Sequence, residues 1–182
     1  IITNAHLINE GKMPLIDNTS MDFFFDSKND PEVIKDTILE LVTTRLPKFL
    51  GVDPQTIQVL APLKAGVCGI ENLNKVLQER INPPSSGKRQ VEFGRTIFRE
   101  GDKVMQMSNN YDLEWKKHGR YADEIGKGVF NGDIGIVSTI DPNTSEVVVE
   151  FEDGRICLYT RPDLIDLSLS YAITIHKSQG SE

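Results

Sequence analysis

The chain has 182 residues, of which 38% are hydrophobic and 26% charged, and a formal net charge of −7. This is the composition of a folded globular protein, long enough for a real core and for one or two domains. No apolar run approaches the ~18 residues of a membrane span, and the acidic balance argues against a free-standing nucleic-acid binder, which carries a basic footprint.

In chain order, residues 3–10 predict a short helix with Thr3 or Asn4 as cap and Gly11 as stop. Met21–Phe25 reads as a short strand between turn residues. Asp30 and Pro31 mark a helix start, as cap and first helical position. Val33, Ile34, Ile38, Leu41, Val42 and Leu46 then recur at helical spacing, until Pro47 and Gly51 end the helix. Thr56–Ala61 has the apolar density of a buried parallel strand. A loop, Pro62–Gly66, and a helix from about Gly69 to Ile81 follow. Strand, loop and helix in this order make a RecA-like or Rossmann-like unit, whose ligands bind at the carboxyl ends of the strands. Lys64 therefore sits where a ligand contact is expected, and the helix-start amides can receive an anion. Taken by itself, Lys64 reads as an exposed loop lysine.

Asn82–Gly87 is linker-like, and beyond it the pattern turns to β. Ile97–Phe98, Lys103–Met107, Ile134–Ile140, Glu146–Phe151 and Arg155–Tyr159 are separated by turns, clearest at Asn131-Gly132, Asp141–Asn143 and Glu152–Gly154. Val147, Val149 and Phe151 alternate with Glu146, Glu150 and Glu152, as in a half-buried antiparallel strand; Val148 is the exception. Short strands with tight turns predict a small barrel. The polar stretch Ser108–Gly128 reads as a long loop, functional or mobile. Its Tyr111 and Trp115 can stack on a base or anchor the loop. The most basic window, Lys88, Arg89, Arg95, Arg99 and Lys103, reads as a solvated loop and strand face. Cys68 and Cys157 stand in no metal-ligand spacing, so two buried, reduced thiols in a cytoplasmic protein are expected. Ile1–Asn4 lacks the basic and apolar regions of a signal peptide. After Asp163 the chain returns to the α/β part, and Leu167–Tyr171 leads into a short helix ending near Gly180.

The most informative stretch is the last, Tyr171–Glu182, a dense set of hydrogen-bonding side chains with a Gly that lets backbone approach a ligand. It resembles motif V of the RecD-like 5′-to-3′ DNA helicases of superfamily 1 (exodeoxyribonuclease V alpha-type chains). Those carry Ala-x-Thr-(Ile/Val)-His-Lys-Ser-Gln-Gly-Ser-Glu, matched here by Ala172, Thr174, Ile175 and every residue from His176 to Glu182. Gln58–Gly69 with Glu71–Asn74 resembles motif IV of that family. Gly101–Gln106, Asn109–Tyr111 and Val129–Val137 resemble the segments that follow it, and Asn4–Gly11 the helix after motif III. The likeness covers nearly the whole chain, in the expected order.

This resemblance implies an α/β fold: a RecA-like, P-loop NTPase-type parallel-sheet domain without its own P-loop, interrupted by a small all-β SH3-like barrel. Residues 1–95 plus 165–182 would form an incomplete second RecA-like domain, and 96–164 the inserted barrel. The parent would be an ATP-dependent DNA helicase or translocase of recombination and repair, using ATP and Mg2+. Its expected partners are single-stranded DNA, the duplex junction, a first RecA-like domain in cis and, within an exodeoxyribonuclease V, other nuclease-helicase subunits. The resemblance places Thr174 and His176 on DNA phosphates, with Lys64 and Lys177 beside them; Lys177 alternatively faces solvent. Gln179, Gly180 and Ser181 would approach the γ-phosphate, and Glu182 would accept from the nucleotide ribose. The barrel would brace the DNA-splitting pin of the first half, or the strand near it.

The sequence holds no Gly-x-x-x-x-Gly-Lys-(Ser/Thr), no strand ending in paired Asp-Glu, and no arginine-bearing motif VI. No catalytic residue and no magnesium ligand are therefore expected in this chain, nor ATP hydrolysis by it alone. It starts without Met and stops inside the motif, so a longer parent is expected. Two other readings stand beside this one. A non-catalytic nucleic-acid or protein-interaction module fits the acidic charge. A metabolic α/β enzyme is disfavoured: His6, His118 and His176 are the only histidines, and neither a nucleophile elbow nor a dinucleotide fingerprint is present.

Overall fold

The computed structural model describes residues 1–120 and 122–178. Helix α1 spans Ile2–Asn9 and has no side-chain cap. Asn4, expected at the cap, is instead buried within the helix. Its carboxamide accepts from Leu15 N at 2.8 Å and donates to Leu15 O at 3.0 Å. Met21–Phe25 does not form a strand. The Asn18 side chain makes both bonds to Phe25 that a partner strand would make, at 2.6 and 2.9 Å, so no ladder develops.

Helix α2 (Pro31–Glu40) starts as its sequence predicts: Asp30 Oδ1 accepts from the Glu32 amide at 2.8 Å. The helical path does not end at Pro47. It widens into one π-helical turn at Leu41–Arg45 and resumes as α3 (Leu46–Leu50), with Pro47 in the first turn. The wider turn accommodates a ring that has no N–H to donate and would clash with the preceding turn. Gly51, at φ 69°, ends the helix in the left-handed conformation.

The remaining elements are β1 (Val59–Ala61), α4 (Ile70–Ile81), β2 (Gln90–Phe93), β3 (Thr96–Arg99), β4 (Lys103–Gln106), β5 (Asn110–Lys117), β6 (Glu124–Val129), β7 (Ile134–Asp141), β8 (Glu146–Phe151), β9 (Arg155–Tyr159), β10 (Leu167–Leu169), β11 (Ala172–Thr174) and α5 (Ile175–Ser178). The architecture is mixed α/β and dominated by a seven-stranded antiparallel sheet in the order β10-β4-β7-β8-β9-β5-β6. Strands β2 and β3 form a separate hairpin. Among the described residues, the expected parallel sheet is represented by one pair, β1 with β11. In β8, Val147, Val149 and Phe151 point into the core and Val148 is half-buried, following the alternation in the sequence. One core joins both parts: Val42, Leu73 and Leu77 from the helices pack with Val104, Ile140, Val147, Tyr159 and Leu164. Leu73 and Leu77 are wholly buried, so truncating either to Ala would cost about 2–5 kcal/mol.

Ser108–Gly128 is not a loop. Most of it is the β5–β6 hairpin, and β5 also pairs with β9. Ion pairs lie along its exposed surface, Glu114 with Lys127 across the strands at 3.1 Å and Lys116 with Asp123 before β6 at 2.7 Å. Trp115 lies against Gly126, where a Cβ would come within 2.3 Å of the indole. The basic window is solvated only in part. Arg89, which pairs with Glu100 at 2.7 Å, and Arg95 are exposed, whereas Arg99 is 5% exposed and pairs with Glu79 at 2.6 Å, and Lys103 is 6% exposed and donates to Gln55 O at 3.0 Å. Of the two thiols, Cys157 is buried and Cys68 half-buried.

Candidate nucleic-acid and nucleotide site

Because β1 and β11 are parallel, with Ala61 opposite Thr174, the loop after β1 and the helix after β11 leave the pair at the same end. This brings Lys64 and His176 to one edge, at the carboxyl ends of two strands. Both side chains are exposed. The loop is folded tightly on the start of α4: Leu63 O accepts from Ile70 N at 3.0 Å, Lys64 O from Glu71 N at 3.1 Å, and Gly66 O from Gly69 N at 3.0 Å. The amides expected to receive an anion are thus occupied by the loop's own carbonyls at Ile70 and Glu71. Gly69 is required for this approach, since a Cβ there would lie 2.4 Å from Ala65 O.

The motif strand is held from three sides. From α4, Asn74 reads the backbone of Ala172, accepting from its N–H and donating to its C=O, both at 2.8 Å. From the turn before β4, Asp102 accepts the Tyr171 hydroxyl at 2.9 Å. The same wholly buried carboxylate accepts from Asn82 Nδ2, Gln78 Nε2 and the Arg99 amide, each at 2.6 Å. It therefore ties α4, β3 and the start of the motif together. Burial pushes the Asp102 carboxyl above its ordinary pKa, and the four donors pull it back without cancelling that rise. Burial, followed by the neighbouring Asp102 charge, likewise raises the Tyr171 phenol.

The third support comes from the sheet. Lys177 Nζ donates to Met107 O at 3.0 Å and to Asn131 Oδ1. The lysine that the sequence places towards DNA or solvent therefore has its ammonium on the β4–β5 and β6–β7 connections. Thr174 is 9% exposed, and its Oγ1 accepts from the Lys177 amide at 3.4 Å. Of the four residues expected on DNA, Lys64 and His176 are open at the shared edge, while Thr174 is buried and the half-buried Lys177 has its ammonium on protein acceptors. Gln179, Gly180, Ser181 and Glu182, expected on the nucleotide side, lie outside the described residues. Among the described residues, no group of three or more His, Cys, Asp or Glu side chains is placed to hold a metal ion, so none is assigned to magnesium. Asn74, Asp102 and Asn131 lie in segments that resemble the family, but nothing in those segments indicates their contacts; each gains its role from a partner 46 to 98 residues away. Among the described residues, no helix is long and apolar enough to cross a membrane.

Residues 73–151 match the SH3 domain of ATP-dependent RecD-like DNA helicases. The chain is similar to the ATP-dependent RecD2 DNA helicase of Deinococcus radiodurans, with 36% identity over 129 residues, 71% of this chain and 15% of that protein. It is also similar to the RecBCD enzyme subunit RecD of Buchnera aphidicola, with 28% identity over 125 residues, 69% of this chain and 18% of that protein. An uncharacterized protein of Methanocaldococcus jannaschii is 32% identical over 143 residues, 69% of this chain and 11% of that one. A solved chain from work on unwinding of forked dsDNA by two coordinating Pif1 helicases aligns at 19% identity with a TM-score of 0.40, covering 87% of this chain and 40% of that one. The chain thus spans less than a fifth of the length of each curated relative it matches. With the SH3-domain match over residues 73–151 and the 36% identity to RecD2 over 71% of its length, the chain is similar to one part of the RecD-like DNA helicases.

Proposed function

We propose that this chain is part of an ATP-dependent DNA helicase, in which it supplies one stretch of the single-strand track and the far side of the ATP cleft. The observation that carries this reading is the parallel pairing of β1 with β11, which sets the Lys64 loop and the His176 helix at one edge. Residues 1–95 and 165–182 then belong to the second RecA-like domain, and 96–164 to the barrel inserted into it. His176 and Lys64 reach DNA phosphates from the open edge, contacts that position a strand without reading its sequence. Thr174 and Lys177 line the same end and shape it from within. Gln179, Gly180, Ser181 and Glu182 contribute the nucleotide contacts. ATP and magnesium are held mainly by the first RecA-like domain of the parent, so this chain does not hydrolyse ATP alone. Single-stranded DNA, the duplex junction and, in a nuclease-helicase assembly, other subunits are its partners.

The test is ATP-dependent unwinding of a 5′-tailed duplex by the full-length parent with His176→Ala or Glu182→Ala. Loss of unwinding in both variants, with circular dichroism unchanged, is the expected result. Full activity in both would transfer the case to a non-catalytic interaction module, the reading that the net charge of −7 favours.

A further inference from the structure

We propose that Asn131 is a positioning residue: together with Met107 O it clamps Lys177 Nζ, and so fixes the motif helix against the SH3 domain. This inference rests on the helicase reading above for its consequence, but not for its geometry.

The acceptor is built into a braced turn. Asn131 N donates to Asn109 Oδ1 at 2.9 Å, and Gly132 N to Gln106 O at 2.9 Å. Phe130 N donates to Asp133 Oδ2 at 2.9 Å, and Arg155 pairs with the same carboxylate at 2.7 Å. Gln106 N closes the other side on Asp133 O at 2.9 Å. The Asn131 carboxamide is therefore presented from a turn tied to β4, the β4–β5 connection and β9. The opposite end of the contact has little support of its own. Helix α5 has four described residues, a single turn, and one turn of helix is not stable without outside contacts. Its backbone hangs from β11, which Asn74 pins. Lys177 anchors it to the sheet through Met107 O and Asn131 Oδ1. Both are hydrogen bonds from a charged donor, stronger than neutral ones. A ligand that moves α5 must therefore either carry the β6–β7 turn with it or break this clamp. Through that link the SH3 domain and the motif helix move as one body, and nucleotide-dependent displacement of the helix is passed to whatever the SH3 domain touches.

The full-length parent is compared as wild type, Asn131→Ala, Asn131→Asp and Lys177→Met. Hydrogen exchange of the amides of Ile175–Ser178 reads the clamp directly. Asn131→Ala and Lys177→Met should speed it about tenfold, the factor that ~1.4 kcal/mol of lost interaction corresponds to. Asn131→Asp keeps an acceptor for the ammonium and should stay within about twofold of wild type. The second readout is coupling, the base pairs unwound per ATP consumed on a 5′-tailed duplex. Asn131→Ala should lower it about tenfold, with DNA-stimulated ATPase retained, and Asn131→Asp should rescue it. Wild-type exchange in Asn131→Ala, or equal loss in the Ala and Asp variants, would overturn the clamp. Altered exchange with unaltered coupling would overturn its role in the motor. A wild-type parent that neither hydrolyses ATP on DNA nor unwinds it would sink the helicase reading instead, and exchange would still decide the clamp.

Discussion

Replacing Asp102 by Asn removes half of the acceptor capacity at the junction of α4, β3 and the motif strand. Oδ1 takes Asn82 at 2.6 Å and Tyr171 at 2.9 Å; Oδ2 takes Gln78 and the Arg99 amide, each at 2.6 Å. A carboxylate offers about four lone-pair sites and a carboxamide oxygen only two. In Asp102→Asn, two of the four donors face an NH2 group. Each buried donor left without a partner costs about 1–3 kcal/mol, or about 2–6 kcal/mol for two. Removing a buried charge acts the other way, because burial is the largest influence on this carboxyl. The net loss should therefore fall in the lower part of that range, about 2–4 kcal/mol. For a chain of this length, 1 kcal/mol moves the midpoint by roughly 2–4 °C, so the melting temperature should fall by roughly 4–16 °C. Thermal unfolding followed by circular dichroism at neutral pH measures this. A variant melting within about 2 °C of wild type would refute the saturated-carboxylate argument. Tyr171→Phe removes one donor and leaves the other three satisfied, so a smaller loss of about 1 kcal/mol is expected. Because the two residues share a hydrogen bond, the double variant should lose less than the sum of the singles.

Three further outcomes follow from contacts elsewhere. Gly126→Ala puts a methyl group 2.3 Å from the Trp115 ring, which must move; a loss of about 1–3 kcal/mol and a shifted emission from the single tryptophan are expected, and an unchanged spectrum would contradict the packing. Burial pushes the Cys157 thiol up to about 12, so iodoacetamide applied to the native chain at about pH 8 should label Cys68 and spare Cys157 in peptide mass spectra; equal labelling would show that β9 opens readily. Burial raises the Glu100 carboxyl, but the amides of Arg89 and Ile140 and the Arg89 guanidinium outweigh it, leaving the pKa below the ordinary 4.5. A depressed carboxyl stabilises the fold above its unfolded pKa and loses that contribution as pH falls through the folded value. The stability advantage of wild type over Glu100→Gln should thus be present at neutral pH and close below about 4.5; a gap constant down to pH ~3 would count against the assignment.

Where a residue's role depends on its immediate neighbours, the linear pattern was sufficient to read it. Asp30-Pro31 started α2, and the alternation of valines and glutamates made β8 a half-buried strand. The block from Ala172 to Ser178 marked the motif before any contact was known. The same logic failed where a side chain replaced a backbone partner, as Asn18 does at Phe25, or where the helix widened to accept Pro47. It failed for β5–β6 because charged residues on a hairpin exposed over most of its surface leave no apolar period to detect.

The sequence by itself determined the resemblance to the RecD-like helicases, the Asp30 cap of α2, the turns between the later strands, and which residues carry donors at the motif. Only the tertiary structure decided where those donors point. Lys177 and Asn131 are 46 residues apart, Asp102 and Tyr171 69, and Asn74 and Ala172 98. Local propensity and periodicity act over a few residues, whereas these bonds exist only after the parallel pairing of β1 with β11 and the shared core have brought distant segments together. An exposed lysine and a clamped one have the same sequence neighbours, and the difference lies in the acceptors that the fold sets beside the ammonium.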